Sequence, residues 1–176
     1  MGALPHDRSH LLCDDLDQGL YSELFEESVD KWLISHLNDD RASDSSEGLI
    51  VTSVAVAKSN GVLAGRFPVD RLIERFFNSC SVDWAVEEGQ RVSSGQELLS
   101  LKGPSASVLS CERVLLNILG RMSGIASSTA EWISESEGIA VACTRKTAWG
   151  LMDKWAVHVG GGLTHRLSRS DALMIK

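Results

Sequence analysis

Apolar positions divide the chain into three kinds of segment. Leu20, Leu24, Val29, Leu33 and Leu37 fall near helical spacing and predict a first helix over residues 20–37. The polar run from Asn38 to Gly48 reads as a loop. Ile50 to Ala57 is rich in Val and Ala and predicts a strand. A turn at Ser59, Asn60 and Gly61 returns the chain in a second strand, Val62 to Arg66. Pro68 suits a first helical position, and Leu72, Ile73, Phe76 and Phe77 give the helix behind it an apolar face. Val82–Val86 and Glu97–Leu101 read as two more strands, with turns at Glu88-Gly89-Gln90 and Ser94-Gly95.

The pattern then changes. A long helix is predicted after Ser110, a good N-cap, with Leu115, Leu119, Met122, Ala126 and Ile133 on one stripe and Gly124 as its weak point. Short apolar strands alternating with a helix follow: strand 139–143, helix 150–156, strand 157–159 and strand 172–175. The fold class is therefore an α+β N-terminal sandwich domain over residues 1–112, then residues 113–176 as the beginning of a parallel β/α arrangement. Residues 1–30 are acidic and irregular, and part of this leader is expected to be disordered.

Charge sharpens the division. Residues 1–50 carry 12 acids and 3 bases, residues 51–176 carry 12 acids and 14 bases, and from Arg145 to Lys176 there are 6 bases and 2 acids. An acidic leader argues against a nucleic-acid footprint. A local basic cluster on an acidic chain suits a small anionic ligand. No run of 18 apolar residues suggests a membrane span, and Met1–His10 lacks the pattern of a secretory signal. Cys13, Cys80, Cys111 and Cys143 form no C-x-x-C pair and read as free thiols in a reducing cytoplasm.

The candidate chemistry gathers near the end. Arg145 and Lys146 follow a strand directly, where parallel β/α folds carry their sites. Arg145 offers a planar fork for carboxylate or phosphate, and Lys146 a point charge. Gly160, Gly161 and Gly162 permit a sharp turn or a close approach, and His165 and Arg166 follow them. Lys176 closes the expected last strand. Arg113, near the start of the long helix, works against the helix dipole. No Walker loop, G-x-G-x-x-G or G-x-S-x-G occurs. From the residues alone, this is a set of cations collected for a small polyanion.

Three groups of segments resemble the quinolinate phosphoribosyltransferase family: Asn60 to Gly65 with the 88–98 hairpin; Gly103-Pro104 with 112–117 and 123–126; and Thr144 to Thr147, 150–157, 160–166, Ser170 to Ala172 and Ile175-Lys176. The resemblance implies a sandwich domain followed by an open α/β barrel. It implies a homodimer, and quinolinate and phosphoribosyl pyrophosphate as substrates. Mg²⁺ is implied to act through the pyrophosphate compound, and several further barrel strands with acidic residues past the position of Lys176. It implies that Arg145, His165, Arg166 and Lys176 bind the quinolinate carboxylates, that Lys146 lies beside the sugar phosphates, and that Arg113 reaches into the partner's site. Lys146 and Lys176 are the implied catalytic residues. The chain departs from the family at Thr147-Ala148-Trp149-Gly150 and at Thr164, where Asn often precedes His-Arg. Two other readings stand beside this one: a nicotinate phosphoribosyltransferase homologue, and a truncated non-catalytic assembly subunit, which the missing acidic strands would suit.

Overall fold

The computed structural model describes residues 6–16 and 18–171. A short 3-10 turn, Ser9–Leu11, opens the chain. The strands β1 (Cys13–Asp15) and β2 (Leu20–Tyr21) then pair antiparallel. The described part of the leader is thus structured, contrary to the irregular reading of residues 1–30. Helix α1 (Glu23–Asp40) starts at Ser22, whose side chain accepts from the Phe25 N–H at 3.3 Å. Its buried face is Phe25, Val29, Leu33 and Leu37, four residues apart throughout. Leu20 and Leu24, expected on that face, are exposed: Leu20 lies in β2, and Phe25, not Leu24, continues the four-residue step.

The main sheet has the order β3-β7-β5, all antiparallel, from β3 (Ile50–Val56), β5 (Ser81–Trp84) and β7 (Glu97–Pro104). β7 is central, and its Leu98, Leu99 and Leu101 are buried, whereas β3 is an edge strand with Ile50, Val54 and Val56 exposed. The strand expected at 62–66 shrinks to β4 (Gly61–Val62), which pairs with β6 (Arg91–Val92) and does not form a hairpin with β3. The N–H groups of Ala64 and Gly65 donate to Ser123 Oγ and the Glu88 carboxylate, so no ladder can continue there.

Helix α2 (Arg66–Phe76) begins two residues before Pro68, which occupies the first turn where no N–H is required. Its own first turn has no acid. Glu88 supplies one from outside, accepting from Gly65 N at 3.1 Å and Arg66 N at 2.9 Å. The Glu88 stem is partly exposed, but the carboxylate is turned inward and its burial pushes it above the usual carboxylate range.

Helix α3 (Ser105–Glu135) spans 31 residues, about 46 Å. It begins at Ser105, directly after β7, so Ser110 lies inside it and is not its cap. The helix runs uninterrupted through residue 112 and through Gly124. Its buried stripe runs from Val108 through Cys111, Leu115, Ile118 and Met122 to Ala126 and Thr129, packing on the sheet, α2 and a last helix, α4 (Leu151–Val159).

After α3 the β/α pattern is only partly realised. The strand expected at 139–143 is reduced to one parallel bridge, Ala142 to Leu163, with Cys143 N donating to Leu163 O at 3.0 Å. Residues 157–159, expected as a strand, are the last turn of α4. The expected strand 172–175 and Lys176 lie outside the described residues.

Helix α4 ends at the glycine run. Gly160 N bonds to Ala156 O at 3.1 Å, Gly161 N to His158 O at 2.8 Å and Gly162 N to Val157 O at 2.9 Å, with Gly161 at φ 90°. The N–H groups of the three glycines are thus taken up by helix carbonyls, which makes the run a helix cap. The glycines also let α4 approach α3: a Cβ on Gly160 would strike the Ala126 carbonyl oxygen and come within 2.8 Å of Thr129 Cβ. Gly160→Ala is expected to destabilise the chain by about 1–3 kcal/mol through forced separation of α3 and α4, measured as a shift in urea midpoint. Gly95→Ala serves as a comparison with open space around its Cβ but an unfavourable φ.

Candidate functional site

Lys154 is the residue around which the carboxyl-terminal cations are arranged. It is 2% exposed, and its ammonium donates to Thr164 O at 2.7 Å, Thr144 O at 3.3 Å and Cys143 Sγ at 3.3 Å. Thr144 and Thr164 end the two segments joined by the parallel bridge. One buried cation therefore ties together the points from which Arg145-Lys146 and His165-Arg166 depart. Hydrogen bonds to charged donors are the stronger kind, and an abandoned buried acceptor is costly.

Arg145 and Lys146 are exposed, and Lys146 N donates to Thr144 Oγ1 at 3.0 Å. His165 and Arg166 are half-buried. His165 adopts φ 53°, a left-handed conformation uncommon for a side-chain-bearing residue. Burial, then the neighbouring His6, Lys154, Arg166 and Arg8, hold the His165 imidazole below its ordinary pKa. That combination marks a concentrated positive field, the environment an anionic ligand would relieve.

The leader closes over this loop. Asp7 accepts from Thr164 N at 3.2 Å and Thr164 Oγ1 at 3.0 Å, and Arg8 pairs with Asp171 at 3.1 Å. The His6 and His165 rings stack with centroids 5.7 Å apart. Burial raises the Asp7 carboxyl, but hydrogen bonds from Ser9 and Thr164 outweigh it and hold the group below the usual range. His158 is lowered by burial, partly countered by Asp7.

Arg113 is not brought to these cations. It is exposed on α3 and pairs with Asp40 at the end of α1, with Nε to Oδ2 at 2.9 Å. Two turns further along α3, Arg121 reaches α4 instead, forking onto the two Asp153 carboxylate oxygens at 2.8 Å through Nε and Nη2 and lying over Trp149. Sequence reasoning missed Lys154, Asp7 and Arg8 as organisers. Only Lys154 carries a signal, a charged pair with Asp153 set between the apolar Met152 and Trp155 on a short helix.

The four cysteines are unbridged, and burial raises each thiol, Cys111 to about 12, which keeps them protonated and poorly nucleophilic. Among the described residues no group of three or more His, Cys, Asp or Glu could hold a metal ion. Asp7, Asp153 and Asp171 are already engaged by hydrogen bonds and arginines. These residues do not fit a Mg²⁺ site. Among the described residues no helix is long and apolar enough to cross a membrane.

Comparison with known proteins agrees with this architecture. The family model "Quinolinate phosphoribosyl transferase, N-terminal domain" matches residues 40–123, and the corresponding C-terminal domain model matches residues 125–176. The chain is 38% identical over 135 residues to a nicotinate-nucleotide pyrophosphorylase [carboxylating] of Mycobacterium leprae, covering 73% of this chain and 48% of that protein. It is 38% identical over 123 residues to a mitochondrial quinolinate phosphoribosyltransferase [decarboxylating] of Nicotiana tabacum, covering 69% and 35%. NadC of Streptococcus pyogenes superposes with a TM-score of 0.75 at 35% identity, covering 85% of this chain and 58% of that one. The nicotinate-nucleotide pyrophosphorylase of Francisella tularensis gives 0.76 at 25% identity, covering 84% and 56%. The chain thus spans between about a third and a half of the length of these curated relatives.

The fold defines a two-domain architecture, an N-terminal sheet-and-helix domain and the first part of a C-terminal barrel domain. The chain belongs to the quinolinate phosphoribosyl transferase family.

The organising role of Lys154 has a direct consequence. Lys154→Met keeps most of the buried volume but abandons the Thr144 and Thr164 carbonyls. It is expected to cost about 1–3 kcal/mol in a urea titration, with Arg145→Ala, an exposed neighbour, changing the midpoint little.

Proposed function

We propose that this chain carries part of a site for quinolinate and phosphoribosyl pyrophosphate and takes part in phosphoribosyl transfer with decarboxylation, giving nicotinate mononucleotide, pyrophosphate and CO₂. The observation that carries the reading is the convergence of Arg145-Lys146 and His165-Arg166 on the two segments tied by Lys154. Quinolinate is a dianion, and its co-substrate is heavily anionic, so a shared pocket requires several cations. In this reading Arg145, His165, Arg166 and Lys176 take the two carboxylates, and Lys146 lies beside the sugar phosphates.

The ring nitrogen attacks the sugar C1 as the bond to pyrophosphate breaks. The carboxylate beside that nitrogen then leaves as CO₂. Its electron pair stays on the ring carbon next to the cationic nitrogen and is quenched by a proton. Mg²⁺ belongs to this reading as an ion that enters on the pyrophosphate compound. A cytoplasmic setting also belongs to it, since unbridged thiols suit a reducing compartment, although the tobacco relative's name places that protein in mitochondria.

The cation count discriminates between ring acids. Isothermal titration is expected to show tighter binding of quinolinate than of nicotinate. Equal affinity, or a preference for nicotinate, would favour the nicotinate phosphoribosyltransferase reading.

The reading includes a homodimer in which Arg113 serves the partner's site. Its support is the separation of Arg113 from the other cations of its own chain. Exposed apolar side chains also lie next to Arg113: Leu109 lines one hollow with it and Asp40, and Leu109, Leu116 and Val54 of edge strand β3 line another. Arg113→Ala and Arg166→Ala should each abolish quinolinate binding. Mixing the two after dissociation should restore roughly a quarter of the binding capacity, because half the dimers are mixed and each holds one whole site. No recovery, with subunit exchange confirmed by labels, would overturn the trans assignment.

A further inference from the structure

The loop that presents His165 and Arg166 has two anchors, one on each side, and the leader holds both. On the near side is Thr164, fully buried. Its N–H and hydroxyl meet Asp7 Oδ1 at 3.2 and 3.0 Å, and its Oγ1 also accepts from Arg8 N at 2.6 Å. On the far side, Leu167 N donates to Asp171 Oδ2 at 2.8 Å, and Asp171 Oδ1 accepts from Arg8 Nε at 3.1 Å. Asp7 is itself fixed by Ser9, whose hydroxyl donates to Oδ2 at 2.6 Å. Between the two anchors, His165 is held at φ 53°, a conformation the local backbone does not favour by itself.

We infer that Asp7 and Arg8 are positioning residues, a clamp that sets the backbone from which His165 and Arg166 meet the anionic substrate. The inference rests on the reading of those two residues as quinolinate ligands. It assigns a task to the acidic leader that its composition did not suggest. It also gives a physical meaning to Thr164. Its single hydroxyl donates to the Asp7 carboxylate and accepts from the Arg8 amide, so one side-chain oxygen joins both leader residues to the loop.

The groups that face His165 are His6, Arg8, Lys154 and Arg166, with Asp7 and Asp171 bonded to the loop on either side. Releasing the clamp relieves the burial of His165 and moves His6 away. The imidazole pKa should then rise toward its ordinary value. A role in general stability alone would not produce that shift at one ring.

The test uses the full chain and the variants Asp7→Ala, Asp7→Asn and Thr164→Ser. Amide exchange at Thr164 and Leu167 and the His165 ring titration are followed by NMR, quinolinate affinity by calorimetry, and overall stability by urea. Asp7→Ala should exchange at Thr164 on the order of 10- to 100-fold faster, raise the His165 pKa and weaken quinolinate binding on the order of 10-fold. The Val108–Met122 amides of the core should keep their protection. Asp7→Asn, which keeps an acceptor oxygen, and Thr164→Ser, which keeps the hydroxyl, should recover most of the effect. Unchanged exchange and an unchanged His165 titration in Asp7→Ala would overturn the clamp, as would a uniform loss of protection across the core. Failure of the unsubstituted chain to bind quinolinate would instead overturn the substrate reading, and the exchange and titration data would still decide whether the clamp exists.

Discussion

Two adjacent residues of α4 fix how the two parts of the chain meet. Trp155, 1% exposed, enters the N-terminal part, where it packs on Tyr21 and Phe25, themselves against Phe67, and donates to Glu88 at 3.0 Å. Lys154, beside it, enters the other side and gathers the Thr144 and Thr164 carbonyls. A rotation of α4 about its axis would break both sets of contacts. The orientation is therefore determined by a buried aromatic on one side and a buried cation on the other, each with a hydrogen-bonding obligation that a slipped register could not meet.

That seat transmits order in both directions. Glu88 accepts from Trp155 and from the first N–H groups of α2, so the same carboxylate that caps one helix also receives the indole of another. Arg121 and Asp153 add a bidentate pair between α3 and α4, and Asp153 also accepts from Trp149 N at 3.0 Å, which fixes the chain entering α4. The basic loops are built on this frame. Their positive charges need not be mutually stable in the absence of an anion, because the stability comes from the apolar and charge-paired contacts beneath them.

The large elements were legible in the sequence because they obey simple periods. Helix α1, the β3–β7–β5 strands and α3 all follow from apolar spacing, although the spacing points to Leu24 where the helix buries Phe25. The failures have two causes: neighbours that extend an element past its apparent end, and partners far away in sequence. Residues 157–159 look like a strand through Val157 and Val159, yet they complete a helix whose end is stabilised by the glycines that follow. Ser110 has the chemistry of an N-cap, but β7 delivers the chain to the helix at Ser105, and Ser110 instead accepts from Ser43 N at 2.9 Å. The candidate cations were legible through their position after a presumptive strand and through resemblance. What orients them was not, since Asp7 and Thr164 are separated by 157 positions.

The placement of acid and base along the chain now has a physical rationale. The carboxyl-terminal segment is crowded with cations, and burial, with His6 and Arg8 of the leader and Lys154 and Arg166 of the segment itself, lowers the His165 pKa. The leader brings carboxylate to that crowd at Asp7 but directs it to backbone N–H and hydroxyl groups of Thr164, not onto the candidate ligand side chains. Arg8 likewise spends its charge on Asp171. A carboxylate paired directly with Arg166 or His165 would compete with an incoming anion for the same donors and weaken its binding by the energy of that pair. A carboxylate on the backbone instead orders the loop while leaving the field over it positive. Asp7 and Asp171 thus hold the loop through backbone N–H groups, the Thr164 hydroxyl and Arg8.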